Sequence, residues 1–515
     1  GAISIDEWKE LTEYAADYFM ETMGNFQSLA HFEKIMSYPQ YRHLGETDRM
    51  IAPVLEESFR FLEDIYEEMI PAFSAPFFNV NCDETWDLGR GVSKTMVDSI
   101  GVARVYANHL NRLEKVVSRH GKRMMFWGDI VLQHPEIFDM IPGDVVIGAW
   151  DYSAYESFDR FLIPYKKAGF DFFFSPGVLN SNRLMPDYNM TFTNIKNFVR
   201  DGYKHGALGM LNTVWDDGGK AIFSQDWYGI AYSADHSWHV NDDPVENFNQ
   251  RFNTAVYGDQ TQSASAALQK MTELTDLAPT QEMNEAVFWK KLVPEREEEI
   301  RFNLSEWDAV KEITQQAEEL LDRAEPEIYA DDLSAIRFTI HQYRFLADSR
   351  LLLFQAAEQY RVACMTQMSD RSAARQMLTE ALRNIGDVRL DLQKLRTGYR
   401  TVWLMENRSY WLDHILDLYD AKIVNLVQAE QLLAQAISDF DQGHYLAAPN
   451  KIRLDIEQTS GQYFQYWLLC GPFPNVRWQG RDVDYLKPMG GETEATPRPG
   501  AEFINEQGEK YRWIK

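Results

Sequence analysis

Six short apolar runs, separated by stretches of helical period, fill residues 19–238, and that alternation is the pattern of successive βα units feeding a parallel sheet. The runs are 19–29, 77–82, 123–128 (RMMFWG), 144–150 (DVVIGAW), 170–176 (FDFFFSP) and 208–215 (LGMLNTVW). Helical periodicity covers 50–70, 100–120, 156–168 and 190–205, and Gly121, Gly169 and Gly206 stand where three of these helices should stop. A closed barrel of this kind needs eight strands. Residues 4–18 already read as the helix before the first visible strand. The expectation is therefore an α/β chain: a (β/α)8-type barrel lacking its first two βα units. An open doubly wound sheet is the rival, and it lacks the glycine-rich phosphate turn that should follow its first strand.

The barrel is expected over residues 1–245. From 246 to 460 the texture changes to long helical patterns such as EEEIRFNLSEWDAVKEITQQAEELLDRA and AKIVNLVQAEQLLAQAISDF, a separate helical domain. Its aromatic-rich segment RTGYRTVWLMENRSYWLDHILDLYD reads most simply as the core of that bundle. Residues 461–515 open with YWLLCGPFPNV, a strand-like run that turns at Gly471–Pro472, and are expected to begin a β-sandwich-like module cut short at Lys515.

Composition narrows the partners. Lys and Arg number 51 against 78 Asp and Glu, a net charge of −27, whereas nucleic acid and anionic membranes both demand a basic face. No run reaches the roughly 18 apolar residues of a spanning helix. Cys82, Cys364 and Cys470 lie far apart, without metal-ligand spacing or a disulfide framework.

The chemistry concentrates at residues 77–91, FFNVNCDETWDLGRG, where an apolar run breaks into Asp83–Glu84. A carboxylate pair at the C-terminal end of a strand is where a (β/α)8 barrel keeps its active site. Crowded carboxylates push one pKa upward, and a neutral acid at pH 7 is what leaving-group protonation needs. The same pair also suits the first turn of a helix, where acidic residues complement the dipole. The other strand ends add Gln27 and His31, Trp127 and Asp129, Trp150 and Tyr152, then Ser175, Asn180, Asn182 and Arg183, and finally Trp215 and Asp217. Three strands ending in Trp are hard to explain by core filling, because barrel interiors prefer branched aliphatics. Tryptophans gathered at one face suit the apolar faces of a sugar ring, and the acids and amides among them suit its hydroxyls.

NVNCDETWDLGRG resembles the Asp–Glu motif of glycoside hydrolase family 20, the β-N-acetylhexosaminidases. QSLAHF, MMFWGDI, GAWDY, SPGVLNSNRL and NTVWDDGG resemble, in order, the family's other strand ends, so the resemblance spans residues 4–240. LMENRSYWLDHIL resembles the helical domain of some bacterial members, and WLLCGPFPN the opening of an accessory sandwich in large secreted enzymes. The resemblance implies a retaining exo-enzyme whose nucleophile is the substrate's own 2-acetamido oxygen, needing neither metal nor organic cofactor. Glu84 would be the acid and base, and Asp83 would orient the acetamido group. Trp127, Trp150 and Trp215 would wall the sugar pocket, Tyr152 would meet the acetamido carbonyl, and Asp217 would bind ring hydroxyls. Asp129 would be a pocket carboxylate, and His31 either a member of the hydrogen-bond network or a structural histidine. The implied partner is a glycan with a terminal N-acetylhexosamine, and the implied location is periplasmic or secreted in a bacterium. Two other readings stay open: a catalytically silent sugar-binding barrel, and a metal-dependent barrel hydrolase or lyase using Asp83, Glu84, Asp129 and Asp217 as ligands.

Overall fold

The structure, a computed structural model, describes residues 3–181, 183–216, 219–240, 244–280, 288, 297–449, 502–504 and 510–512. The helix Ile5–Asp17 starts with a capping box, in which Ser4 Oγ accepts from Glu7 N and the Glu7 carboxylate accepts from Ser4 N. The strands that follow are β1 (Gly24–Asn25), β2 (Phe77–Asn79), β3 (Arg123–Trp127), β4 (Val146–Trp150), β5 (Asp171–Ser175), β6 (Gly177–Val178), β7 (Gly209–Met210) and β8 (Thr213–Val214). One parallel sheet runs in the order β1-β2-β3-β4-β5-β7, and β6 pairs with β8 as a short parallel extension. This curled, all-parallel wall of six strands is an incomplete barrel of the expected class.

Three strand expectations, 123–128, 144–150 and 170–176, hold closely, and three shrink, with 77–82 reduced to Phe77–Asn79. The 19–29 run supplies only β1, because Phe19 is almost fully exposed with φ 59° and continues the turn out of the first helix. The 208–215 run divides at Leu211–Asn212 into β7 and β8. Intervening helices Glu56–Met69, Val102–Arg119, Asp159–Ala168 and Tyr188–His205 lie where helical period placed them. Gly169 and Gly206 end two of them in the left-handed conformation that glycine adopts without a Cβ penalty.

Successive strand residues face opposite sides. Met124 and Phe126 face outward into the layer shared with Leu110, Leu113 and Tyr165. Met125, Trp127 and Val146 face inward and form a separate small cluster, edged by Phe77, Trp150, Phe173 and Leu211. Among the described residues four long helices follow the barrel: Glu297–Arg323, Ala330–Thr366, Arg371–Glu406 and Leu412–Asp441. In the aromatic-rich segment Tyr399, Val402, Trp403, Leu412 and Tyr419 are buried, as a bundle core requires. No helix among the described residues is long and apolar enough to cross a membrane. YWLLCGPFPNV lies outside the described residues; β9 (Glu502–Ile504) and β10 (Lys510–Arg512) pair antiparallel.

Candidate active site

The turn after β2 decides where the acids go. Neighbouring residues on an ordinary strand would project to opposite faces. Here Asn81, Cys82 and Glu84 all have positive φ, at 60°, 65° and 53°. Each such residue without glycine costs about 1–3 kcal/mol, so surrounding contacts must hold the turn. They do. Asn81 N donates to Asn79 Oδ1 at 2.9 Å, and Asn81 Oδ1 accepts from Trp127 Nε1 at 3.0 Å. The Cys82 carbonyl accepts from Tyr106 OH at 2.9 Å, and Cys82 Sγ sits 2.8 Å from Ser28 Oγ. Burial raises the Cys82 thiol far above its usual range, so it is held as a thiol. Behind it, burial depresses His109 to about 4, and this neutral ring donates from Nε2 to the Ser28 carbonyl at 2.9 Å.

As a result both acids reach one imidazole. His31 Nε2 lies 3.2 Å from Asp83 Oδ2 and 3.5 Å from Glu84 Oε2, and Gln27 Nε2 donates to Asp83 Oδ1 at 3.4 Å. His31 itself has φ 62°. Burial opposes its charge, but the hydrogen bond to Asp83 and the charges of Asp83, Glu33 and Glu84 outweigh burial and raise it to about 9. At neutral pH the cluster therefore contains an imidazolium.

Asp129 opens the short helix Asp129–Gln133 just after β3, and its Oδ2 accepts from Glu84 N at 3.0 Å. Burial, reinforced by the charges of Asp83 and Glu84, raises its carboxyl to about 7 against the hydrogen bonds that favour the ion. The upward push anticipated for a crowded acid falls on this third carboxyl.

The aromatic residues differ among themselves. Trp150 and Tyr152 stack with ring centroids 5.5 Å apart, and Trp215 Nε1 donates to Tyr152 OH at 2.6 Å. These three form a connected wall, with Trp215 40% exposed. Trp127 is only 5% exposed, packed against Gly148, where a Cβ would stand 2.5 Å from its Cε3. Trp86 is exposed. Asp217 and Asn182 lie outside the described residues. Arg183 turns to Ser181 O, and Asn180 donates to buried Asp226 at 3.0 Å.

Several buried polar atoms at these strand ends have no hydrogen-bond partner among the described residues: Gln27 Oε1, Asp129 Oδ1, Trp150 Nε1 and Ser175 Oγ. Buried polar atoms without a partner are rare in folded proteins. Among the described residues no three His, Cys, Asp or Glu side chains are grouped to hold a metal ion. Asn81, which holds the Trp127 indole, is the residue of this turn that strand-end reading passed over; its signal is a polar residue inside the apolar run 77–82.

Residues 2–179 match the model described as glycosyl hydrolase family 20, catalytic domain. A β-hexosaminidase of Porphyromonas gingivalis is 23% identical over 149 residues, covering 25% of this chain and 19% of that protein. One of Vibrio furnissii is 27% identical over 157 residues, covering 29% and 24%. The chain thus matches about a fifth to a quarter of the length of these relatives. Among solved structures, a β-N-acetylhexosaminidase of Bacteroides fragilis aligns with TM-score 0.41 at 18% identity, covering 49% of this chain and 56% of that one. The Flavobacterium johnsoniae chitobiase aligns with TM-score 0.40 at 15% identity, covering 88% and 64%.

Proposed function

We propose, from the premise that residues 2–179 belong to a glycosyl hydrolase family 20 catalytic domain, that the protein is a retaining exo-β-N-acetylhexosaminidase releasing terminal β-linked GlcNAc or GalNAc. The observation that carries this reading is the meeting of Asp83 and Glu84 at His31 Nε2 after β2, with the wall of Trp150, Tyr152 and Trp215 built at the ends of later strands. Glu84 protonates the glycosidic oxygen as the bond to the anomeric carbon breaks. The substrate's acetamido oxygen attacks that carbon from the other face, giving an oxazolinium ion. Water then attacks the same carbon, loses its proton to Glu84 and opens the ring, so configuration is retained. Asp83 accepts the acetamido N–H and balances the positive charge, while His31 and Gln27 hold its carboxylate in place. Placing the internal nucleophile supplies much of the acceleration.

Trp127, Trp150 and Trp215 enclose the sugar and its acetyl group. The Tyr152 oxygen accepts from the Trp215 indole, which holds the phenol in the wall where it meets the acetamido carbonyl. Asp217 binds ring hydroxyls, and neutral Asp129 contributes a hydrogen-bonding carboxylic acid. The test is a panel of chromogenic 2-acetamido and 2-hydroxy β-glycosides on the full-length protein, with and without EDTA. The expected result is turnover confined to the 2-acetamido substrates and unchanged by EDTA. Equal turnover of both classes sinks the mechanism; sugar binding without hydrolysis leaves a carbohydrate-binding barrel.

A further inference from the structure

We propose that the helical region completes the sugar-binding end of the barrel: Glu406 is a positioning residue that, with Tyr399, holds the segment following Trp215. The inference rests on the hexosaminidase reading. Trp215 is fixed locally by its indole bond to Tyr152 and by Ser181 Oγ donating to its carbonyl at 2.8 Å. Beyond it no strand and no long helix intervenes before Trp227 among the described residues, so the course of the chain depends on side-chain anchors. Asp216 links Trp215 to that course: its carbonyl accepts from Gly219 N at 3.2 Å and its carboxylate from Ala221 N at 3.0 Å.

The next anchors come from about 180 residues further along the chain. Tyr399 OH donates to Lys220 O at 2.8 Å. The Glu406 carboxylate accepts from Phe223 N at 2.5 Å, from Ser224 N at 2.8 Å and from the Ser224 hydroxyl. It thereby caps the single 3-10 turn Phe223–Asp226, whose leading N–H groups have no partner within the turn. Trp411 fills the space that Gly219 leaves, where a Cβ would stand 2.9 Å from its Nε1.

Nothing in its own helix favours a carboxylate at position 406. It is the last residue of Arg371–Glu406, where negative charge opposes the helix dipole. Acid crowding at this junction is visible in buried Asp226, which burial and the charges of Asp216 and Glu406 push up to about 8. A residue set against its local preference, yet receiving three hydrogen bonds from the segment behind Trp215, is placed for that segment.

The experiment compares Glu406→Ala, Glu406→Gln and Tyr399→Phe in the full-length protein, reading kcat and KM on a chromogenic 2-acetamido glycoside and amide hydrogen exchange over 219–226. E406A is expected to raise KM at least five-fold with kcat within two-fold, and to speed exchange over 219–226 at least ten-fold. E406Q, which keeps one acceptor oxygen, recovers most of the KM loss. Unchanged KM and exchange in E406A overturn the proposal, as does a kcat loss matched by a fall in melting temperature with KM unmoved. Should E406A fail to fold, Y399F decides by the same split, with a two- to three-fold rise in KM expected. If the parent protein turns over no 2-acetamido glycoside, the hexosaminidase reading has failed, and exchange over 219–226 tests the anchoring by itself.

Discussion

The backbone N–H of Glu84 donates to Oδ2 of Asp129 at 3.0 Å, so the position of one acid is set by the side chain of another that follows the next strand. The other Asp129 oxygen, Oδ1, is buried without a partner among the described residues. A carboxyl that titrates near 7 in this place makes the site's charge depend on pH within the working range.

Asp129 is neutral below about pH 7 and ionises above it, adding a negative charge beside Asp83 and Glu84. Activity should therefore fall on the alkaline side with a midpoint near 7. Asp129→Asn keeps the acceptor for Glu84 N and stays neutral, so the fall should move upward toward the His31 range. A kcat/KM profile from pH 5 to 10 checks this; an alkaline limb identical in the variant would count against it.

Replacing Glu84 with Gln removes the transferable proton and keeps the shape. Losses from removing a general acid are about 10²- to 10⁴-fold in kcat, with sugar binding retained. Asp83→Asn should impair 2-acetamido substrates with little change in their binding. Substrates with strongly acidic leaving groups should recover most of the first step in E84Q. If they show the same deficit as poor leaving groups, Glu84 does not supply the proton.

His31 gains its proton in the folded state, rising from 6.5 to about 9. Its contribution to stability is fully present below pH 6.5 and is lost as pH rises through 9. The melting temperature should decline across that window, and His31→Gln should flatten the decline. Asp129 adds a separate slope: its raised pKa makes stability fall from pH 4 to 7, so D129N should gain relative stability over that range.

Gly148→Ala places a Cβ 2.5 Å from Trp127 Cε3 and 2.8 Å from Met125 Cε, inside the small cluster that Trp127, Met125 and Val146 form. Overpacking of this kind costs about 1–3 kcal/mol. Urea denaturation should show that loss together with a weakened Trp127–Asn81 hydrogen bond. A change under about 0.5 kcal/mol would mean the indole moves freely, and would sink the description of Trp127 as a wedged side chain.

Much of this was legible because strands buried on both faces read as apolar runs: Arg123–Trp127, Val146–Trp150 and Asp171–Ser175 fall inside the runs that mark them. Gly169 and Gly206 announce their helix ends because only glycine makes the left-handed turn cheaply. β1 was overdrawn because Phe19 and Met20 are apolar yet exposed, and composition does not report which way a side chain faces. The tryptophans looked alike, whereas Gly148 buries one of them and a tyrosine hydroxyl ties another. Left-handed backbone at Cys82 and Glu84 has no local signature, since neither residue type prefers it. Nor does any local pattern link Glu406 to Phe223, because a contact across 183 positions leaves no periodicity.

Excising the barrel as a stand-alone piece ending near residue 245 would look natural on a map of secondary structure, yet it would delete the hydroxyl and the carboxylate that now grip Lys220, Phe223 and Ser224. Those backbone groups would turn to solvent, and the rim bearing the outermost indole would lose its moorings while the sheet beneath it stayed intact. A minimal version of this molecule accordingly has to run at least as far as the helix that opens at Leu412, since the helix ending at Glu406 is tied to it through Arg396 and Asp420.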